Sequence, residues 1–333
     1  MIKEYKTILD LPEENQKLLC DNMFFSEDYA RCVAVEGRTL IILASTKYVI
    51  PFTLSKKAIF RYGTFAYQPV CICADGQQTI REFLDEVIAY LSKKRHVHFL
   101  TPNPAYTIFE DYPTKSRRIP FGNHVCDLSL SEEELFGKLH SKHRNCVRKA
   151  HKDGVTIKSG RDADLLSDYI RMDTETWARS NRAASGLNFY ASKIEALPRN
   201  TKVFIAYKDG VPQSGAFIYY DQLCGYYMFG ANTNSPYAGS GNLLQWEIML
   251  WLKQQGVKKY SFVGCRINED ESSKYHSIQR FKERFGGDLI QGYMFKCVCN
   301  KMMFKIFRLI MHLRGSSGVD AIDQEICKWR ELN

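Results

Sequence analysis

The sequence predicts a mixed α/β fold in two similar halves, and three observations support this prediction. Short apolar stretches typical of β-hairpins occur twice, at residues 38–54 and again at 202–232. Each is followed by a helical pattern with apolar residues at three- and four-residue steps, and then by another strand. The chain has 333 residues, a length that favours two domains. We therefore expect a duplicated α/β unit in which helices pack on the faces of mixed sheets.

The composition is that of a globular protein with excess positive charge. Hydrophobic residues make up 45% and charged residues 25%, and 46 Lys and Arg against 37 Asp and Glu give a net charge of +9. This excess favours anionic partners such as nucleic acid, nucleotide phosphates or a membrane surface. No apolar run approaches the ~20 residues that span a bilayer, and no signal-peptide pattern is present, so a cytoplasmic protein is expected. The eleven cysteines form no CxxC or zinc-finger pattern, which argues against a metal site.

The predicted first domain, residues 1–124, opens with a hairpin. Two strand-like runs at residues 38–45 and 47–54 precede a third at 62–74. The segment QTIREFLDEVIAYLSKK then has the apolar period of an amphipathic helix. Its apolar positions are Ile80, Phe83, Leu84, Val87, Ile88 and Leu91. A further strand is expected at 96–101.

The predicted second domain, residues 125–300, repeats this order. Its strands are predicted at residues 202–210, 212–222, 223–232, 258–264 and 288–298. Between the third and fourth strands, a glycine-rich loop opens the helix NLLQWEIMLWLKQQG, which Gly256 ends. A short helix containing FKERFGG precedes the fifth strand.

The end of the glycine-rich loop is a candidate phosphate- or donor-binding site formed by Gly239, Ser240, Gly241 and Asn242. Glycines let backbone amides approach a ligand closely, and a helix N-terminus adds unpaired N–H groups and the positive end of the helix dipole. The Gly-Lys-Ser/Thr ending of a P-loop is absent. The alternative interpretation is a glycine-rich turn capped by Asn242.

A second candidate site is the basic helix predicted over residues 131–154. The run SEEE, which begins at Ser131, forms a capping box at its start. Arg144, Arg148 and Lys152 recur every four residues and share one face, which suits the phosphates of RNA or of a nucleotide-linked substrate. The alternative is a solvated face whose cations complement the negative end of the helix dipole.

The motif FKERFGG supplies a candidate catalytic lysine. Phe281 and Phe285 are four residues apart and should face the interior, with Lys282 angled away from them. An ammonium in a partly apolar cleft can stabilise an oxyanion or contact a substrate phosphate. The alternative is a surface lysine whose stem covers apolar surface.

Three passages, taken together, carry a family resemblance. They are LFGKLHSKHRNCVRKAHKDGV, YYMFGANTNSPYAGSGNLLQWEIMLWLKQQGVKKYSFVG and FKERFGG. They resemble the FemABX family of peptidoglycan-bridge aminoacyltransferases and its GNAT-like relatives, often grouped as BioF2-like acetyltransferases. The resemblance implies two tandem GNAT-like domains that transfer an aminoacyl or acyl group to an amine of a cell-wall or surface-polysaccharide precursor. It also implies aminoacyl-tRNA or acyl-CoA as co-substrate and no tightly bound cofactor.

The resemblance assigns roles to several residues by motif position. Lys282 matches a lysine that stabilises the reacting carbonyl, with Phe281 beside it at the substrate channel. Tyr227 lies on the matching tyrosine-bearing strand and is the second candidate catalytic residue. Arg179 matches an arginine that contacts substrate phosphate, and Arg182 is its alternative.

The resemblance leaves rival functions open. The last two glycines of the loop are similar to the GNAT pyrophosphate loop, whose pattern is Arg/Gln-x-x-Gly-x-Gly/Ala. Pro236 stands at the Arg/Gln position, which weighs against the rival within the class, an acyl-CoA-dependent N-acetyltransferase acting on a small amine or amino sugar. The rival of another class is a non-catalytic module that binds RNA or a glycan. The sequence does not identify a general base, and nothing in the pattern supports His276 or Glu269, the two titratable residues considered from the loop before the FKERFGG helix.

Residues 301–333 are predicted to begin with a basic amphipathic helix. Its large apolar residues on one side are Met303, Phe304, Phe307, Ile310 and Met311. Lys301, Lys305, Arg308 and Arg314 surround them. The helix either packs on the first domain or lies on an anionic membrane. We expect packing, because core helices are commoner than membrane anchors.

Overall fold

The computed structural model describes residues 1–267, 274–314, 322–324 and 326. The chain divides into two compact units. The first comprises Met1–Cys20, Phe24–Gly122 and Gln291–Asn333, and the second comprises Asp21–Met23 and Asn123–Ile290. The predicted boundary at residue 124 lies next to the change of unit at Asn123. Residues 291–300, which the prediction assigned to the second domain, belong to the first unit.

The helices and strands of the described residues are numbered in chain order. They are β1 (Lys3–Tyr5), α1 (Glu13–Leu19), α2 (Glu27–Val35), β2 (Arg38–Ala44), β3 (Tyr48–Lys57), β4 (Phe60–Phe65), β5 (Val70–Cys71), α3 (Ile80–Arg95), β6 (Phe99–Leu100), β7 (Arg117–Asp127), α4 (Glu132–Lys138), α5 (Ser141–Lys152), β8 (Thr156–Gly160), α6 (Ala163–Ala178), α7 (Leu187–Ala196), β9 (Thr201–Lys208), β10 (Val211–Tyr220), β11 (Cys224–Asn232), α8 (Ser240–Gln254), β12 (Lys259–Ser261), β13 (Cys265–Arg266), α9 (Lys274–Glu283), β14 (Asp288–Val298) and α10 (Lys301–Leu313). Short 3-10 turns at Ile8–Asp10 and Met23–Phe25 complete the order.

In the first unit the strands lie in the order β1-β2-β3-β4-β6-β14. The strands from β1 to β4 pair antiparallel, β4 and β6 pair parallel, and β6 and β14 pair antiparallel. The predicted hairpin is present as β2 and β3, and the predicted helix as α3. The strand expected at 96–101 is only Phe99–Leu100. Helix α3 buries Phe83 and Leu91 in one core with Phe52 of β3.

The second unit repeats this pattern with the order β8-β9-β10-β11-β12-β7. The strands from β8 to β11 pair antiparallel, β11 and β12 pair parallel, and β12 and β7 pair antiparallel. In each unit one helix connects the parallel pair, α3 in the first and α8 in the second. Helix α8 buries Leu244, Ile248 and Leu252 in a core with Phe204 and Ile218. The repeated pairing supports the predicted duplication and the mixed α/β fold.

The single helix predicted over residues 131–154 is wrong, because two helices, α4 and α5, occupy this segment. The capping box at Ser131 is confirmed at the start of α4. Leu139 has extended backbone angles, and the ring of His140 then accepts a hydrogen bond from the amide of Lys142 at 3.2 Å, which starts α5. Both helices bury apolar residues in the same core, so the apolar period continues across the break and hides it.

Helix α10 packs on the first unit, as predicted. The rings of Phe304 and Phe307 lie 5.1 and 4.8 Å from the ring of Phe99, centroid to centroid. Phe307 also meets Phe60 edge to face at 5.3 Å. None of the helices in the described part of the chain has the length and apolar character needed to cross a membrane.

Candidate active site

A cavity of about 850 Å³ lies in the second unit, where two parallel strands cease to pair. β11 and β12 are paired only over Cys224–Tyr226 and Lys259–Ser261, although β11 continues to Asn232. Tyr227, directly after the paired segment of β11, and Val263, shortly after β12, both line the cavity. The cavity therefore opens in the gap that the two strands leave.

A β-bulge shapes the wall that β11 contributes. Phe217 of β10 pairs with Phe229, and Ile218 pairs with Tyr227, so Met228 is the extra residue between them. A bulge bends its strand and turns neighbouring side chains in new directions. Tyr227 and Met228 both line the cavity at this bend.

The glycine-rich loop contributes the N-terminus of α8 to the cavity. Gly239 is the N-cap with a φ of +86°, and no side chain caps the helix. The amides of Gly241 and Asn242 consequently have no acceptor within the described residues, and both residues line the cavity. The alternative of a turn capped by Asn242 is wrong. Two free N–H groups and the positive end of the helix dipole face this space instead.

The two glycines of the loop do different things. A Cβ on Gly239 would lie 2.7 Å from the carbonyl oxygen of Cys146 and 3.3 Å from the Cβ of Ala150, both on α5. A Cβ on Gly241 would meet only the hydroxyl of Ser214, at an ordinary 3.7 Å. Gly239 is therefore required for the loop to pack against α5, whereas Gly241 keeps the cavity side of the helix N-terminus clear.

The corresponding helix of the first unit, α3, lacks this feature. The hydroxyl of Thr79 accepts from the amide of Glu82 at 3.2 Å, and the carboxylate of Glu82 accepts from the amide of Thr79 at 2.8 Å. These bonds lower the pKa of Glu82, so a negative charge stands at the positive end of the helix. Of these two crossover helices, only α8 begins with free amides beside a cavity.

Lys282 reaches the cavity from α9 and is buried, with 9% of its surface exposed. Its Nζ donates to the carbonyl oxygen of Gly264 at 2.9 Å and to that of Val263. Burial lowers the pKa of Lys282 to about 8, so the ammonium form predominates at neutral pH. An ammonium has three N–H donors, and the third remains for a group in the cavity. The alternative of a surface lysine is wrong.

The backbone that Lys282 contacts is strained. Val263 has a φ of +34°, which a β-branched residue rarely adopts. The amide of Gly264 donates to Oδ1 of Asn123 at 2.7 Å, and the amide of Val263 donates to the hydroxyl of Ser261 at 3.3 Å. Together with the ammonium, these bonds hold the turn in the conformation that directs two carbonyl oxygens at Lys282.

Two aromatic residues flank Lys282 along α9 and after its end. Phe285 is buried, and Phe281 lines the cavity with its ring centroid 5.1 Å from that of Phe285. His143 of α5 packs against both rings, and burial lowers its pKa to about 4. A neutral imidazole and two phenyl rings therefore form the apolar surroundings of this part of the cavity.

Tyr227 contributes a phenol to the cavity wall. A Cβ on Gly230 would overlap its hydroxyl, so glycine at this position makes room for it. The buried side chain of Gln245 accepts from the hydroxyl of Tyr260 at 2.6 Å, and Gln245 also acts to lower the pKa of the Tyr227 phenol. Because the Gln245 oxygen accepts from Tyr260, the NH₂ group is the part of Gln245 that is left for a neighbour such as the Tyr227 phenol. Burial raises the pKa of Tyr227 to about 12, so the phenol is neutral.

Arg179 lines the cavity, but its guanidinium holds the loop before the glycine motif. It donates to Oδ1 of Asn234 at 3.0 Å, to the hydroxyl of Thr176 at 3.1 Å and to the carbonyl oxygen of Asn232. Arg182 is absent from the residues that line the cavity. Contact of either arginine with substrate phosphate stays a prediction.

The two arginines of the basic helix do not line the cavity. Arg144 donates to the carbonyl oxygens of Gly137, at 3.0 Å, and of Leu139, which satisfies the C-terminal end of α4. The guanidinium of Arg148 lies 5.0 Å from the ring centroid of Phe136. Both arginines join α4 to α5. If either residue contacts the acyl-donor substrate, that contact would therefore occur outside the cavity.

No imidazole or carboxylate occurs among the described residues that line the cavity. His276 lies on α9 but is not one of these lining residues, and Glu269 is outside the residues that the structure describes. The same part of the chain holds no cluster of three or more His, Cys, Asp or Glu suited to a metal ion. The polar groups of the cavity are therefore an ammonium, phenols, hydroxyls, amides, the indole of Trp177 and the guanidinium of Arg179.

Sequence reasoning missed two residues that organise the site. Gln245 is a polar residue on the buried side of a predicted helix, and that mismatch with the apolar pattern was the available signal. Val263 had no such signal, because valine normally indicates an extended strand and its positive φ depends on tertiary contacts.

Comparisons with known proteins identify a similar domain and a similar fold. Residues 137–282 match the sequence profile of the acetyltransferase (GNAT) domain, a range that includes the N-terminus of α8 and ends at Lys282. Over 119 residues the chain is 26% identical to the lipid II:glycine glycyltransferase of Staphylococcus haemolyticus (strain JCSC1435). This match covers 35% of the present chain and 28% of the length of that curated relative.

Solved structures share the fold over most of the chain. The crystal structure of FemX superposes with a TM-score of 0.64 at 13% identity, covering 84% of this chain and 93% of FemX. The structure of L-PGS from Bacillus licheniformis gives a TM-score of 0.51 at 12% identity, covering 83% and 88% of the two chains. At such identities these structures show the fold alone. The chain is therefore similar in fold to FemX and, over part of its sequence, to the lipid II:glycine glycyltransferase, and residues 137–282 match the GNAT acetyltransferase domain.

Proposed function

We propose that this chain is an N-acyltransferase that moves an aminoacyl or acyl group to an amine of a cell-wall or surface-polysaccharide precursor. The observation that supports this most is the shared cavity of Lys282, Tyr227 and the free amides of α8. Its volume is within the range of small-molecule sites, roughly 300–1,000 Å³. The staphylococcal relative, a lipid II:glycine glycyltransferase, supports a cell-wall precursor as acceptor.

Lys282 would stabilise the transition state. When the amine attacks, a C–N bond forms, the C–O bond of an ester or the C–S bond of a thioester breaks, and the carbonyl oxygen becomes negative. The third N–H of the Lys282 ammonium is the donor for that oxygen, since the other two bind Gly264 and Val263. Preorganised donors of this kind typically contribute about 10²–10³ in rate.

Tyr227 would supply the proton that the leaving group needs. The phenol is neutral because burial raises its pKa to about 12, and Gln245 would orient it by donating to its oxygen. The phenol proton passes to the departing oxygen or sulfur, and the proton that the amine loses on attack returns to the phenol. This scheme balances protons without an imidazole or a carboxylate in the cavity wall.

The donor is proposed to be aminoacyl-tRNA, with acyl-CoA as the alternative. The free amides of Gly241 and Asn242 suit a phosphate of either donor. Pro236 offers no side-chain donor at the position where the GNAT loop has Arg or Gln, and the net charge of +9 suits tRNA. The acyl-CoA alternative is supported by the match to a GNAT acetyltransferase profile.

Calorimetry with a charged tRNA analogue and with acetyl-CoA measures which of the two donors binds.

Arg144→Gln together with Arg148→Gln tests the predicted tRNA contacts outside the cavity. We expect weaker tRNA binding and a shallower salt dependence in this variant, because each lost phosphate contact reduces the number of displaced counterions. An unchanged salt dependence removes both residues from tRNA recognition.

The proposed activity is tested by mass spectrometry of the products. The purified chain is incubated with mixed aminoacyl-tRNAs or with acetyl-CoA, and with an amine-bearing peptidoglycan precursor. The expected result is an acceptor whose mass has increased by one aminoacyl or acyl group. Absence of product with both donors, together with salt-sensitive binding of RNA or glycan, would support the non-catalytic module instead.

Peripheral contact with an anionic membrane is also part of this proposal.

A further inference from the structure

Helix α10 has an apolar stripe that its packing on the first unit leaves uncovered. Met302, Ile306, Leu309 and Leu313 follow at intervals of four, three and four residues, so they lie along one line of the helix. Their exposed fractions are 66%, 36%, 59% and 76%. The phenylalanine rings that pack on the first unit occupy a different side of the helix. The helix is therefore apolar on a face that the described residues do not cover.

A row of basic residues runs beside this stripe. Lys301, Lys305, Arg308 and His312 follow at the same intervals and are all exposed. They precede the stripe residues by one position each, which places the two rows about 100° apart around the helix axis. The segment KMMFKIFRLIMHLR contains no acidic residue, and Lys301, Lys305 and Arg308 form no ion pair with other described residues.

We infer that this face of α10 docks on an anionic membrane surface. The stripe from Met302 to Leu313 would enter the boundary between headgroups and acyl chains, with the basic row at the level of the lipid phosphates. At 13 residues the helix is about 20 Å long and lies in the plane of the membrane. Anionic lipid is the occupant that fits both rows, because it offers apolar chains and negative charge side by side.

The inference adds a location to the proposed function. A precursor carried on a lipid would be reached from the membrane surface, and α10 would hold the enzyme there. Membrane binding is measured without donor or acceptor, so failure of docking and failure of transfer are separate results.

Flotation with vesicles tests the docking surface. The full-length chain is mixed with vesicles of phosphatidylglycerol and phosphatidylcholine, or with phosphatidylcholine alone. We expect binding to the anionic vesicles that weakens as salt increases, because salt screens the attraction between the basic row and the lipid phosphates. Equal binding to both kinds of vesicle, or no binding to either, overturns the inference.

Variants of the apolar stripe supply the sharper comparison. Leu309→Gln with Ile306→Gln is expected to lower the vesicle partition coefficient about tenfold or more, because two buried apolar side chains are lost. Leu18→Gln is the matched control, since Leu18 is a 52% exposed leucine on α1. Similar partition in both variants contradicts docking through α10.

The basic row is tested by one charge reversal. Lys305→Glu should weaken binding to anionic vesicles about thirtyfold, since the reversal changes the charge near the surface by two and each charge contributes about 1 kcal/mol. Lys142→Glu, on an exposed lysine of α5, makes the same change in net charge and should bind as the wild type does. Circular dichroism confirms that each variant is folded. If Leu309→Gln converts a dimer to a monomer in ultracentrifugation and vesicles bind neither form, the stripe joins two copies of the chain and the inference is wrong.

Discussion

At the scale of single residues, the ammonium of Lys282 is the group whose charge state should be visible in activity. Burial lowers its pKa from the ordinary 10.5 to about 8, while two backbone carbonyls accept from it. Between these two pH values the folded chain binds fewer protons at this site than the unfolded chain. The site therefore adds to the free energy of unfolding as pH rises through this range.

Transfer should fall as the pH rises through about 8, because the neutral amine of Lys282 is a weaker donor to the oxyanion. The measurement is kcat against pH for the wild type and for Lys282→Met. The descending limb near pH 8 should be present in the wild type and absent from the residual activity of the variant. A wild-type rate that stays flat to about pH 10 would show that this ammonium is not used.

Gly230 tests the position of the Tyr227 hydroxyl without removing it. Gly230→Ala displaces that hydroxyl, so kcat should fall about 10²-fold, as expected for loss of a general acid. Tyr227→Phe should lose a similar factor, and the double variant should be no worse than either. Gly137→Ala, where a Cβ meets nothing within 4 Å, is the control that should keep full activity. Additive losses in the double variant would contradict a shared role.

At the scale of elements, the two glycines of the loop before α8 have different roles: Gly239 packs against α5, and Gly241 lines the cavity. Gly239→Ala places a Cβ against the carbonyl of Cys146 at a φ of +86°, so we expect a loss of about 2–4 kcal/mol in the free energy of unfolding. Gly241→Ala lies inside the helix with an open Cβ direction and should keep or slightly raise stability, while weakening donor binding. Urea titration and calorimetry measure the two effects. Equal stability of the two variants would mean that the loop does not depend on its contact with α5.

The elements themselves were predictable where the pattern is local. The hairpin of β2 and β3 and the helix α3 follow from alternation and from a four-residue apolar period. The break between α4 and α5 was not predictable, because it depends on a histidine cap at His140 and on an arginine, Arg144, that satisfies the carbonyls of α4. The burial of Lys282 was equally hidden, since its partners are backbone carbonyls that a sequence does not display.

At the scale of the whole molecule, the duplication was predictable from the order of segments, but the placement of β14 was not. This strand follows the second unit in sequence, yet Cys297 and Val298 pair with β6 of the first unit. A long-range pairing of this kind has no local signal. The two copies of the repeat differ where their crossover helices begin. Helix α3 of the first unit begins with a capping box formed by Thr79 and Glu82, whereas its counterpart α8 has no side-chain cap.

The most direct test compares two lysines whose ammonium groups are held in the same way. Nζ of Lys253 also donates to two backbone carbonyls, those of Leu128 at 3.1 Å and Leu130 at 2.6 Å, but Lys253 does not line the cavity. We expect the single-turnover rate of acyl transfer to fall about 10²–10³-fold in Lys282→Met and to change less than about twofold in Lys253→Met. A wild-type rate in Lys282→Met, or equal losses in the two variants, would contradict the role of this ammonium at the reacting carbonyl.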